Sequence, residues 1–121
     1  MKRDVIVVDD DPDILDSIKT LFEFKGYHVH TAKNGTECLD ILAKGFAGVV
    51  LMDIMMPGMD GWETIREIVK QGLAERVHIV VVTAIGTPNH DKMKGLEPYI
   101  YDYITKPFNP SELMLTVEQS F

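Results

Sequence analysis

Short apolar runs alternate with amphipathic stretches five times along this chain, and very few architectures accept that rhythm. Residues 4–8, DVIVV, form a continuous β-branched run, as a strand covered on both faces requires. In residues 11–26, Ile14, Leu15, Ile18, Leu21 and Phe22 recur at helical spacing; Asp11 or Pro12 opens that helix and Gly26 closes it. Residues 27–32 read as a strand, and Val29 alternating with His28 and His30 puts it at a sheet edge. A second helix spans 35–45 after Asn34, and a third strand spans 48–52. The third helix, 61–72, turns Trp62, Ile65, Ile68 and Val69 inward. Residues 77–84 form the fourth and most apolar strand. A weaker helix over Pro88–Gly95, a strand over 101–105 and a last helix from Asn109 complete the series.

Strict alternation predicts an α/β fold: a doubly wound five-stranded parallel sheet with right-handed crossovers and helices on both faces. The apolar first, third and fourth strands belong in the middle, which gives the flavodoxin-like order 2-1-3-4-5. At 121 residues the chain suits one domain over 1–121, long enough to bury a core without staples. The last helix stops at Phe121 without a polar tail, which leaves room for a continuation.

Composition removes several functions. A net charge of −7 argues against nucleic-acid binding by this domain, because phosphate backbones need a basic footprint. The single cysteine, Cys38, allows no internal disulfide and fits a reducing compartment. No apolar run reaches membrane-spanning length, and the first residues are too short a greasy stretch for a signal peptide. A cytoplasmic setting is expected.

In an open parallel sheet, ligands bind beyond the carboxyl ends of the strands. Here the first strand ends on Asp9, Asp10 and Asp11, the third on Asp53, the fourth on Thr83 and the fifth on Lys106. Each taken singly is an ordinary turn or cap residue. Together, on one rim, they describe a phosphoryl site. Clustered carboxylates need a compensating cation, and hard oxygen donors favour Mg²⁺. An aspartate can act as nucleophile and form an aspartyl phosphate. In this reading Asp53 attacks phosphorus, Asp9 and Asp10 hold the metal, and Thr83 and Lys106 meet the phosphoryl oxygens. The Ala84 amide is a further donor and the Met55 carbonyl a further metal ligand.

The motifs VVDDDPD, LMDIMMPGMDG, VVVTA and YITKPF, in this order and spacing, resemble the receiver domain of two-component response regulators of the chemotaxis-regulator type. The resemblance covers essentially the whole chain. It implies a phosphorylation switch fed by a histidine kinase or phosphotransfer protein, with bound Mg²⁺, for which Mn²⁺ can substitute. It implies that Asp53 is the phospho-acceptor, Asp9 and Asp10 the acidic metal pair, and Met55 the carbonyl ligand. Thr83 and Tyr103 become the switch pair, Lys106 the phosphate-contacting lysine, and Pro107 the residue after a cis peptide bond. An output partner or domain, or a phosphorylation-dependent homodimer, would read the surface of the fourth helix, fifth strand and fifth helix. Two departures surround the fourth helix: Tyr99 and Ile100 replace the family's usual Gly-Ala pair, and the stretch after Ala84 is longer than the norm. Met55 and Ile85, two residues beyond Asp53 and Thr83, are apolar and cannot orient an attacking water, so slow self-dephosphorylation is expected.

Other residues invite functions they need not have. Met52, Met55, Met56 and Met59 are better core and loop fillers than soft-metal ligands. His28 and His30 have a spacing that could bind zinc, but no third ligand is near them in sequence. Cys38 reads as a small apolar residue, and Trp62 as a staple of its helix. The competing function is a Mg²⁺-dependent phosphohydrolase working through an aspartyl phosphate. Haloacid-dehalogenase-type phosphatases place a second aspartate two residues after the nucleophile, where this chain has Met55. A flavin or nucleotide module would want a glycine-rich loop after the first strand, where DDDPD repels phosphate.

Overall fold

The computed structural model describes residues 3–84 and 90–121. Five strands, β1 (Asp4–Val8), β2 (His28–Ala32), β3 (Gly48–Asp53), β4 (Val77–Ala84) and β5 (Ile100–Lys106), pair in parallel in the order β2-β1-β3-β4-β5. Between and after them run α1 (Pro12–Phe24), α2 (Gly35–Ala43), α3 (Gly61–Lys70), α4 (His90–Met93) and α5 (Pro110–Gln119). The doubly wound sheet expected from the alternation is therefore the fold.

Local chemistry explains where the helices start. Asp11 caps α1 by accepting from the Asp13 amide at 2.9 Å, and Pro12 occupies the first turn. Asn34 accepts from the Glu37 amide, and Asp60 from the Glu63 amide, each at 2.9 Å. Gly26, with φ +91°, takes the left-handed conformation that releases the chain from α1.

Two cores follow from the alternation of strand residues. One face of the sheet, with Ile6, Val8, Val50, Met52, Ile79 and Val81, packs under α2 and α3; Trp62, Ile65, Ile68, Leu42 and Cys38 fill it. The other, with Val5, Val7, Val49, Leu51, Val80, Val82 and Ile104, packs under α1 and α5. Val69 and Ile14 reach only partial burial. Burial pushes the Cys38 thiol up to about 12, so it behaves as the inert apolar residue expected.

The region between β4 and β5 departs from expectation. Of the helix expected over Pro88–Gly95, α4 covers His90–Met93; Pro88 lies outside the described residues, as does Ile85. Gly95, at φ +84°, breaks the helix and lets buried Leu96 anchor the turn through its amide to the Met93 carbonyl at 2.9 Å. A 3₁₀ turn, Glu97–Tyr99, then leads into a β5 longer than expected at both ends. Register steps from Ile79↔Ile100 to Val80↔Asp102, so Tyr101 is an extra, bulged residue.

Candidate functional site

Parity along the strands builds the rim. Val7, Leu51 and Ile104 all lie in the core under α1 and α5. Two residues further along each strand come Asp9, Asp53 and Lys106, which therefore emerge on that same face at the carboxyl end. Lys106 Nζ donates to Asp9 Oδ2 at 2.8 Å and stands 3.5 Å from Asp53 Oδ2. Both carboxylates are buried, with 3% and 4% of their surface exposed. Backbone amides complete the set: Asp11 donates to Asp9 Oδ1 at 2.9 Å, and Met55 to Asp53 Oδ1 at 3.1 Å.

Exposed Asp10 joins them, with one oxygen from each of Asp9, Asp10 and Asp53 lying within 4.8 Å of the others. Three carboxylates against one ammonium leave a formal charge of −2. Burial, then the charge of Asp9, pushes the Asp53 carboxyl up to about 6 against the opposing pull of Lys106 and the Met55 amide. At Lys106 burial pulls downward, but the hydrogen bond to Asp9 and the charges of Asp53 and Asp9 outweigh it and raise the pKa. The all-oxygen donor set and its surplus negative charge fit a hard divalent cation.

The remaining expected residues divide. Thr83, half-buried, and Ala84, exposed, end β4 beside the rim. In register, Asp53 pairs with Val82, so Thr83 projects to the opposite face of the sheet. Tyr103 pairs with Val81 and shares that opposite face with Thr83. Its side chain is 42% exposed, and its hydroxyl lies 3.9 Å from Met93 Sδ of α4. The Met55 side chain is 70% exposed on the loop after β3. The Lys106–Pro107 peptide bond is cis, as the resemblance implied.

Sequence reasoning missed the links from α3 to α4. Asp60, the cap of α3, takes Lys92 Nζ at 2.6 Å, and Arg66 donates to the Lys92 and Lys94 carbonyls at 2.6 and 3.1 Å. Asp60 and Lys92 stand 32 residues apart, and no sequence signal joins them. Gly61 was also missed. A Cβ there would strike the carbonyl oxygen of Asp53 and approach Ile54 Cα at 2.8 Å, so α3 starts hard against the acceptor's own backbone.

Comparison with known proteins agrees with this geometry. The response regulator receiver domain family matches residues 5–118. A crystallised CheY-like receiver domain protein from Methanospirillum hungatei is 48% identical, with a TM-score of 0.91 over 97% of this chain and 92% of that one. Chemotaxis protein CheY4 of Vibrio cholerae is 27% identical, with a TM-score of 0.87 over 100% of both chains. A probable transcriptional regulator, ycf27, of Porphyra purpurea is 39% identical over 93% of this chain, which spans only 44% of that relative's length. With the sheet order, the acidic rim and the family match in agreement, the chain belongs to the response regulator receiver domain family, the phosphorylation-dependent switches of two-component signalling.

Proposed function

We propose that this domain accepts a phosphoryl group on Asp53 from a histidine kinase or phosphotransfer protein and passes the event to an output partner through the surface around β5. The observation that carries the reading is Lys106 held between two buried carboxylates, one of them Asp53. An Asp53 oxygen forms the new P–O bond while the donor's P–N bond breaks and its electron pair leaves with the imidazole. Lys106, already placed and charged, swings from its carboxylate partners to the incoming phosphoryl oxygens. Thr83 and the Ala84 amide supply further donors. Asp9, Asp10, Asp53 and the Met55 carbonyl would hold Mg²⁺, with Mn²⁺ as a substitute. Bound there, the ion offsets charge on the transferring group.

Thr83 drawn toward the new oxygens would vacate space on the face it shares with Tyr103. The output surface is then the described part of Pro88–Gly95, Tyr101–Thr105 and Ser111–Phe121, where a partner or a second phosphorylated copy docks. The phosphohydrolase alternative lacks support at its key position, because the side chain of Met55 transfers no proton. Acetyl phosphate with Mg²⁺ should add one phosphoryl group, read by intact mass and removed by hydroxylamine. If Asp53→Ala takes up as much phosphate as the wild type, the assignment is wrong.

A further inference from the structure

At the opposite end of the sheet stands a second cluster of ligating groups. Asp4 opens β1 and pairs in register with His28, while Ile6 pairs with His30. Paired residues, and residues two apart on a strand, share a face, so one carboxylate and two imidazoles stand together on the outer edge of the sheet. The backbone fixes this arrangement through the His28 amide, which donates to the Arg3 carbonyl at 2.8 Å. His28 Nδ1 lies 3.1 Å from Asp4 Oδ1, and the two imidazole centroids are 4.6 Å apart. One donor atom from each of the three residues falls within 4.8 Å of the others. Phe46 meets the His30 ring edge-on at 5.4 Å and backs it from the core side.

We propose that Asp4, His28 and His30 form a site for a borderline divalent cation such as Zn²⁺, distinct from the acidic rim. Donors about 2.0–2.1 Å from a tetrahedral zinc stand about 3.3 Å from one another, close to the separation of the Asp4 and His28 atoms. A ring rotation at His30 brings the third donor in, and water fills the open position. The ion would sit between Asp4 Oδ1 and His28 Nδ1, with the neutral His28 ring carrying its N–H on Nε2. Burial, then the neighbouring His28, lowers the His30 pKa against the pull of Asp4. Two imidazoles select Zn²⁺, Ni²⁺ or Cu²⁺ over Mg²⁺, the reverse of the oxygen-only rim. The two sites lie roughly 16 Å apart, five residues along β1 at strand rise.

The test is calorimetric titration of the whole chain with Zn²⁺ in excess Mg²⁺. The wild type should bind one equivalent that Mg²⁺ does not displace. Losing a partner one shell out already weakens metal binding about 10–100-fold, so the double variant His28→Gln, His30→Gln should lose at least that much. Asp4→Asn, which preserves size and should weaken binding less, carries the test if the double variant fails to fold. Asp10→Asn should bind Zn²⁺ as the wild type does. Thermal melting should give a Zn²⁺-dependent rise in Tm for wild type and none for the double variant. Equal affinity in the histidine and Asp4 variants, displacement by Mg²⁺, or loss of the site in Asp10→Asn would each overturn the proposal.

Discussion

Asp53 and Lys106 belong to one charged cluster, yet the strands that deliver them differ in kind. β3 is buried at five of its six residues, from Val49 to Asp53, and is flanked by paired strands on both sides. β5 lies at the sheet edge, has a bulge, and is fully buried only at Ile104. The acceptor thus sits on a buried strand paired on both sides, and its counter-charge on an exposed edge strand with a bulge. A switch needs that division: the chemistry requires a fixed nucleophile, and the readout requires an element with two packings of similar energy.

The largest expected effect tests the rigid side. Leu51→Ala on β3, at a site 1% exposed, should cost about 2–5 kcal/mol of stability in urea unfolding. Asp102→Ala on exposed β5 should stay within about 0.5 kcal/mol. Similar losses for the two would erase the contrast between the strands.

A smaller effect concerns the burial of the acceptor, measured without divalent ions. Unfolded, Asp53 loses its proton near the ordinary value of about 4; folded, it holds the proton up to about 6. Between those limits the native state binds more protons than the unfolded one, so this group's contribution falls as pH rises from about 4 to about 6 and stays lower above. Asp53→Asn should therefore stabilise the domain above pH 6, by about 3 kcal/mol at most, and by little at pH 4. A variant no more stable at pH 7 would show that Lys106 compensates the buried charge fully.

Smallest in energy and largest in meaning is Tyr103→Ala on the adjustable side. With the ring 42% exposed, stability should change by less than about 1 kcal/mol and phosphoryl uptake not at all. Amide shifts on adding beryllofluoride with Mg²⁺ should spread in the wild type from Asp53 to β5 and α5. In the variant they should stay near the rim. Undiminished distant shifts would remove Tyr103 from the coupling.

What could be read from the sequence depended on how far each signal had to reach. Asp9 and Asp53 were legible because each ends an apolar strand, and Lys106 because it closes the fifth strand in the YITKPF motif; topology alone brings strand ends together. The extent of α4 was not, because a four-residue helix has too little periodicity to measure, and Gly95 and Leu96 set its end. Asp4 escaped notice as a companion of His28 because 24 residues separate them and only strand pairing joins them. The Asp60–Lys92 link spans 32 residues and depends on the packing of α3 against α4.

The bulge at Tyr101 says something about tolerance to changes in length. Its hydroxyl donates to the Gln119 carbonyl at 2.6 Å and its ring stacks on His78 at 5.3 Å, so it clasps the end of α5 from outside the ladder. The residues on either side are already in step: Ile100 pairs with Ile79 and Asp102 with Val80, neighbours on β4. A chain shorter by this one tyrosine would run straight through, leaving Tyr103 with α4 and Ile104 in the core. Removing Asp102 could be absorbed the same way, with Tyr101 sliding into its place. Beyond that point the slack is gone. A deletion anywhere from Tyr103 to Thr105 would invert the strand's two faces or drag Lys106 back from the rim. In β5, a one-residue deletion at Tyr101 or Asp102 keeps the register at the expense of the clasp on α5, whereas one beyond Asp102 does not.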